Sequence, residues 1–164
     1  MRTIIRKATQ KDAQATCDIW KVITSERRYS AISEPFTLEQ EVDYLNSLSE
    51  REAIFLAEVD SEVVGFQSID RFAKYTESMN HVATVGTYVL PEYRGKGIGK
   101  ALFEKTVEFA REQGYEKVVI YVRSSNTDAQ DFYSGFGFEP KGVLKKQVKI
   151  DDTYDNEIFM EMFL

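Results

Sequence analysis

Residues 1–164 are expected to fold as one α/β domain on a mixed sheet, mostly antiparallel, with a single parallel strand pair and flanking helices. Three features carry this expectation. The periodic segments follow the order β-α-α-β-β-β-α-β-α-β-β, which is neither a pure βαβ repeat nor an all-β chain. An amphipathic segment from Gly97 to Gln113 separates the β-prone runs Val82–Val89 and Lys117–Val122, and a helical connection joins parallel neighbours. Two pairs of strand-like runs, Ala53–Val59 with Val63–Ile69 and Phe138–Ile150 with Tyr154–Phe163, meet at short polar turns, as hairpin strands do.

Taken in order, Arg2–Arg6 reads as a short strand, and Thr9 is expected to cap the first helix through its hydroxyl, with Asp12 in the positive first turn. Ala13, Cys17, Trp20 and Thr24 then recur at helical spacing, with Thr16, Ile19 and Ile23 on an adjoining stripe. Arg27–Phe36 contains Pro35 and no periodicity, so it reads as a loop. Thr37 and Gln40 form a capping box that opens a second helix through about Leu48. Ala53–Val59 and Val63–Ile69 flank Asp60-Ser61-Glu62 as a hairpin, and Val82–Val89 is a further strand stopped by Pro91. The third helix begins at Gly97 and ends at Gly114. Lys117–Val122 is a strand of the buried kind, Thr127–Ser134 a short helix, and Phe138–Ile150 and Tyr154–Phe163 are strands around Asp151-Asp152.

Composition narrows the function classes. With 43% apolar and 29% charged residues, the chain has ordinary globular composition. At this length, folding buries roughly 70% of the surface of the unfolded chain, so no disulfide or structural metal is required. The 21 basic and 27 acidic side chains give a formal charge of −6, which argues against nucleic acid as the main partner. Cys17 is the only cysteine and His81 the only histidine, so neither a disulfide nor a Cys/His metal site is expected. The amino-terminal segment lacks a signal-peptide core, and no apolar stretch reaches the ~20 residues that span a bilayer. A cytoplasmic protein without membrane association is the expectation.

The chemistry is expected in the loop VLPEYRGKGIGKAL, between a strand and a helix. Glycines at 95, 97 and 99 let the backbone approach a ligand, and the unpaired amides of a helix start form an anion site. Arg94, Lys96 and Lys100 add positive charge, which suits a small phosphorylated ligand. The alternative is a glycine-rich turn that only makes a tight connection. A Walker loop is excluded, because Gly99-Lys100 is followed by Ala101 and Arg94 stands at the first glycine's place. The dinucleotide fingerprint is excluded too, since the spacing is Gly95-x-Gly97-x-Gly99 in mid-chain.

With the second segment NTDAQDFYSGFGF, the chain resembles the GNAT N-acetyltransferase superfamily. That family's cofactor loop, Gln/Arg-x-x-Gly-x-Gly/Ala, is matched by Arg94, Gly97 and Gly99. Its Asn-x-x-Ala-x-x-Phe/Leu-Tyr segment ending in Gly-Phe is matched by Asn126, Ala129, Phe132, Tyr133, Gly137 and Phe138. The layout is most similar to the amino-acid-type group that acetylates phosphinothricin and methionine sulfone. The resemblance implies a GNAT-like fold, with the strands ending at Val89 and Val122 parallel but splayed around a pantetheine arm. It implies acetyl-CoA as cosubstrate and no metal. The arm would be held by amides near Tyr88 and Val89, the pyrophosphate by amides of Arg94, Gly95, Lys96, Gly97, Ile98, Gly99 and Lys100, and Asn126 would hydrogen-bond the cofactor. Tyr133 stands at the family's general-acid position; the competing reading is an aromatic packed under the sheet.

A general base is harder to place. The family's strand glutamate falls on Ala83 or Thr84, and neither accepts a proton. His81 lies just upstream with a suitable intrinsic pKa of about 6.5. Glu34 and Glu77 lie in loops that could face the acceptor, or are solvated loop carboxylates. Arg27 and Arg28 could read a substrate carboxylate bidentately, or simply complement the helix dipole. The expected partner is a small-molecule amine, an amino acid or analogue among them, and the resemblance adds a homodimer. An acyl-CoA-binding regulatory module and a protein N-acetyltransferase are the alternatives.

Overall fold

The computed structural model describes Met1–Leu164. In chain order its elements are β1 (Thr3–Lys7), α1 (Ala13–Ser25), α2 (Leu38–Ser47), β2 (Ala53–Val59), β3 (Glu62–Arg71), β4 (Val82–Val89), α3 (Ile98–Glu112), β5 (Lys117–Arg123), α4 (Thr127–Ser134), β6 (Glu139–Ile150) and β7 (Thr153–Phe163). One seven-stranded sheet holds them in the order β1-β2-β3-β4-β5-β7-β6. Only β4 and β5 run parallel, and α3 connects them; every other neighbouring pair is antiparallel.

Local chemistry explains most boundaries. The Thr37 hydroxyl accepts from the Gln40 N–H at 3.2 Å while the Gln40 side chain accepts from the Thr37 N–H at 2.9 Å, so the capping box fixes the start of α2. Asp60 and Ser61 both take positive φ, the twist that a two-residue hairpin loop needs, and Val59 pairs with Glu62 around them. The start of α1 differs from the expectation. A 3₁₀ turn, Gln10–Asp12, precedes the helix, and the Thr9 hydroxyl donates to the Asp12 carboxylate at 3.2 Å instead of accepting from the helix. Asp12 is also gripped through both oxygens by Arg6, at 2.9 and 2.7 Å, so the acidic residue organises this corner.

Alternation along the strands gives the sheet two apolar faces. Odd-numbered residues of β2, such as Phe55 and Ala57, pack with Leu102, Phe103 and Phe109 of α3 and with Tyr133 and Phe138. Even-numbered Ile54 and Leu56, with Phe66 of β3, pack against Ile19, Trp20 and Ile23 of α1. Cys17 lies on the inward stripe of α1 and is 2% exposed. No helix is long and apolar enough to cross a membrane.

Candidate active site

The parallel ladder is short. Val82, Ala83 and Thr84 pair with Lys117, Val118 and Val119, and beyond Thr84 the two strands separate. A cleft of about 620 Å³ occupies the opening. It is lined by Phe132 and Tyr133 from the α3–α4 side and by Ile23 and Tyr29 from the α1 side, so it passes through the sheet.

The phase of the β3–β4 ladder decides which backbone groups face this opening. Leu90 N–H donates to Val64 and Phe72 N–H to the Val82 carbonyl, which commits the even-numbered residues of β4 to β3. Tyr88 N–H therefore belongs to the sheet and does not face the cleft, a correction to the expectation; the backbone groups of Val85, Thr87 and Val89 turn toward the opening. Tyr88 contributes its side chain instead, tilted against Trp20 at a centroid distance of 4.4 Å and an interplanar angle of 51°. Burial pushes its phenol up to about 12.

Beyond β4 the chain makes a 3₁₀ turn at Pro91–Tyr93, and α3 begins at Ile98. The N–H groups of Gly95 through Lys100 have no partner within the protein, while Ala101 N–H makes the first bond of the helix, to Gly97 at 3.0 Å. Gly95 and Gly97 take φ of +70° and +82°, left-handed conformations that turn these amides outward. Gly99 serves a different purpose: a Cβ there would stand 3.1 Å from the Phe132 ring, so its bareness lets α4 approach α3. Ile98 supplies only backbone to the loop, since its side chain is 2% exposed in the core. Lys100 lines the cleft, and Lys96 lies outside it over the Tyr93 ring.

Arg94 lines the cleft but is not a free cation. Its guanidinium grips Glu26 at the end of α1 through both oxygens, at 2.8 and 2.6 Å, and its Nε donates to the Val89 carbonyl at 2.9 Å. It ties the loop to β4 and α1. Asn126 likewise is 8% exposed and mostly committed: its oxygen caps α4 at Ala129 N–H, 3.1 Å, and its amide donates to the Tyr29 carbonyl at 3.2 Å.

Tyr133 is 6% exposed on α4, and its hydroxyl lies 2.7 Å from the Thr87 Oγ1. The Gln67 amide on β3 donates to that same Thr87 oxygen at 2.7 Å, and the other end of the amide, Oε1, is buried without a partner. Burial raises the Tyr133 phenol above its ordinary value, so it holds its proton at neutral pH.

The remaining candidates lie elsewhere. His81 precedes β4, at the end opposite Thr87, and at roughly 3.3 Å per residue that is about 20 Å away. Its carbonyl accepts from Glu116 and Lys117, and its exposed ring does not line the cleft. Arg27 holds Asp151 through two bonds of 2.9 and 2.7 Å and donates to the Ser33 carbonyl at 2.6 Å, so its fork is filled. Glu34 is exposed and stands 3.4 Å from Arg27, away from the cleft. Glu77 is exposed in a 3₁₀ turn. Arg28 is exposed beside Tyr29, without an ion pair.

Sequence reasoning missed Gln67 and Thr87, whose alignment is a product of strand register: they pair directly across β3 and β4. It also missed Asp70, which stands across from Thr84, with its half-buried carboxylate held by the Tyr44 hydroxyl at 2.9 and 2.8 Å.

Comparison with known proteins agrees with this architecture. Residues 15–138 match the acetyltransferase (GNAT) family. Over 141 residues, the chain is 25% identical to phosphinothricin N-acetyltransferase of Streptomyces viridochromogenes, covering 86% of this chain and 76% of that protein. It is 34% identical to an uncharacterized N-acetyltransferase of Methanocaldococcus jannaschii over 58% of this chain, and spans 43% of that protein. The crystal structure of an N-acetyltransferase from Staphylococcus aureus superposes with a TM-score of 0.92 at 22% identity, over 99% of both chains. A phosphinothricin acetyltransferase from Sinorhizobium meliloti, solved with acetyl-CoA, gives 0.91 at 20% identity, over all of this chain and 89% of that one. With the splayed β4–β5 pair, the amide loop before α3 and a family match over most of its length, the chain belongs to the GNAT acetyltransferase family.

Proposed function

We propose that the protein is an acetyl-CoA-dependent N-acetyltransferase that acetylates the amine of a small molecule, an amino acid or analogue, by direct attack on the thioester. The observation that carries this reading is the Tyr133 hydroxyl, 2.7 Å from Thr87 at the opening between β4 and β5. The unpaired amides of Gly95–Lys100 suit the pyrophosphate, and the outward backbone of Thr87 and Val89 suits the pantetheine arm. The neutral amine attacks the carbonyl carbon, the C–N bond forms and the C–S bond breaks. Tyr133 gives its proton to the leaving sulfur, the proton released from nitrogen passes to solvent, and solvent returns a proton to Tyr133.

Proton delivery to sulfur requires the Thr87–Tyr133 hydrogen bond to run from Thr87 to Tyr133, and the Gln67 bond to Thr87 is compatible with that sense. A hydroxyl has one hydrogen and two lone pairs. With the Gln67 amide donating to the Thr87 oxygen, the Thr87 hydrogen is free to point at Tyr133, which leaves the phenolic hydrogen for the cleft.

With Arg27 locked to Asp151, Arg28 is the guanidinium left to read a substrate carboxylate. An α-amine has a pKa of about 7.7–8.0, so a useful neutral fraction exists without a strong base at Ala83 or Thr84. The test follows CoA release from acetyl-CoA across a panel of amino acids and their decarboxylated counterparts. Release is expected, with preference for the carboxylate-bearing amines that falls in Arg28→Ala. Binding of CoA with no release across the panel would favour a regulatory acyl-CoA-binding role.

A further inference from the structure

Resting on the acetyltransferase reading, we infer that Glu157, with the stacked rings of Tyr121 and Phe159, forms the subsite for the acceptor amine, binding a primary ammonium next to an aromatic or branched apolar body.

Strand register places these residues together. Arg123 pairs with Glu157 and Tyr121 with Phe159 across β5 and β7, all on the sheet face that carries α1. Continuing the β4–β5 register past Thr84 sets Gly86 level with Tyr121, and Tyr88 level with Arg123, across the opening. The Tyr88 ring folds back over Gly86, where a Cβ would stand 3.0 Å from its hydroxyl oxygen. On the α1 side Tyr88 lines the cleft on one bank, while Tyr121, Phe159 and Glu157 stand on the other, outside the cleft lining itself.

The second bank has chemistry that neither the fold nor the cofactor uses. α1 packs over β3 and β4, but Tyr121 remains 44% exposed, its ring 5.6 Å from Phe159 at an interplanar angle of 20°. Beside this pair, Glu157 is half-buried and makes no hydrogen bond or ion pair. Its cross-strand neighbour Arg123 is committed to Asp155 at 2.9 Å and to the carbonyls of Arg27 and Ser30 at 3.0 and 3.3 Å. Those last two bonds, with the Arg27–Asp151 pair, hold the Arg27–Ser30 loop as a wall at the rim. An unpaired carboxylate in a partly desolvated place is costly, and its burial raises the Glu157 carboxyl above its ordinary value. A cationic ligand would remove that cost, and exposed aromatic faces attract cations and apolar groups alike. An amino acid would bind here as the ammonium, with its carboxylate toward Arg28, and would lose a proton to solvent before the neutral amine attacks.

The test measures binding to the CoA-loaded protein by calorimetry, with phenethylamine as cationic probe and benzyl alcohol as neutral control. Glu157→Gln keeps the shape and removes the charge; it is expected to weaken phenethylamine about 10-fold or more and leave benzyl alcohol unchanged. Tyr121→Leu should weaken both. Unchanged acetyl-CoA affinity in each variant shows that the fold persists. Equal affinity of wild type and Glu157→Gln for phenethylamine, or no binding by wild type, overturns the subsite, as does a dimer that buries Tyr121. Phenethylamine bound through Glu157, with no CoA released to any amine, would count against the acetyltransferase reading alone.

Discussion

Tyr133 combines a packed ring with a hydroxyl directed at a polar partner, and the two roles separate by substitution. Its ring packs edge-on to Phe132 and Phe138, at centroid distances of 5.0 and 5.3 Å, so Tyr133→Phe should fold and bind acetyl-CoA normally. If its proton goes to the leaving sulfur, kcat should fall by about 10²–10⁴-fold, the usual contribution of a general acid. Wild-type turnover in this variant would reduce Tyr133 to packing. Thr87 tests the direction of the proton. Thr87→Val keeps the shape but leaves both Gln67 Nε2 and the Tyr133 hydroxyl without their partner, at a cost of about 1–3 kcal/mol for an unsatisfied buried group. A kcat roughly 10-fold lower at unchanged KM for acetyl-CoA is expected, with recovery in Thr87→Ser. A Val variant as active as wild type would show that Tyr133 needs no help in placing its hydrogen.

The loop between β4 and α3 shows how one element uses the same residue type for two physical ends. At Gly97 a Cβ would meet nothing within 4 Å, so its constraint is the φ of +82° alone. Gly97→Val should cost about 1–2 kcal/mol in that left-handed conformation and turn the amides away from the ligand. CoA affinity, read by calorimetry, should fall at least 10-fold in a folded protein; unchanged affinity would remove the amides from the phosphate site. Gly99→Ala instead presses on Phe132, next to Tyr133, so its expected loss is in kcat with CoA affinity largely kept. From sequence, these glycines look alike. Elements were legible because strand alternation, helical spacing and the Thr37–Gln40 box are local, and the strands and helices fall at the expected segments. The partners of charged groups were not legible, because they come from distant segments: Arg27 meets Asp151, and Arg94 meets Glu26. His81 was close to Thr87 in sequence, but an extended strand carries the two apart. Gln67, Thr87 and Glu157 gained their neighbours from register, which alternation alone does not specify.

Across the whole molecule, the sheet is divided where the cleft runs. β1–β4 and β5–β7 share ladder contacts only at Val82–Lys117, Ala83–Val118 and Thr84–Val119, and α3 with its loop spans the two parts. The Val89 carbonyl is held by Arg94 Nε, but the outward backbone of Thr87 and the Val89 N–H have no strand to pair with, so a ligand arm lying there would supply hydrogen bonds the native sheet omits. Such a ligand binds the folded chain and not the unfolded one. At a concentration 100 times Kd, it adds about 2.7 kcal/mol to stability. For a domain of this size each kcal/mol raises Tm by roughly 2–4 °C, so saturating CoA should raise Tm by about 5–10 °C in differential scanning calorimetry. Gly97→Val should lose about half of that rise or more at the same CoA concentration, because a roughly 10-fold weaker affinity leaves about 1.4 of the ~2.7 kcal/mol. Tyr133→Phe should keep it, since the lost proton acts in the chemical step. A full rise in Gly97→Val would mean that the stabilising contacts come from the arm in the opening and not from the phosphates at the loop. No rise in the wild type at saturation would mean that the opening between β4 and β5 does not receive the cofactor.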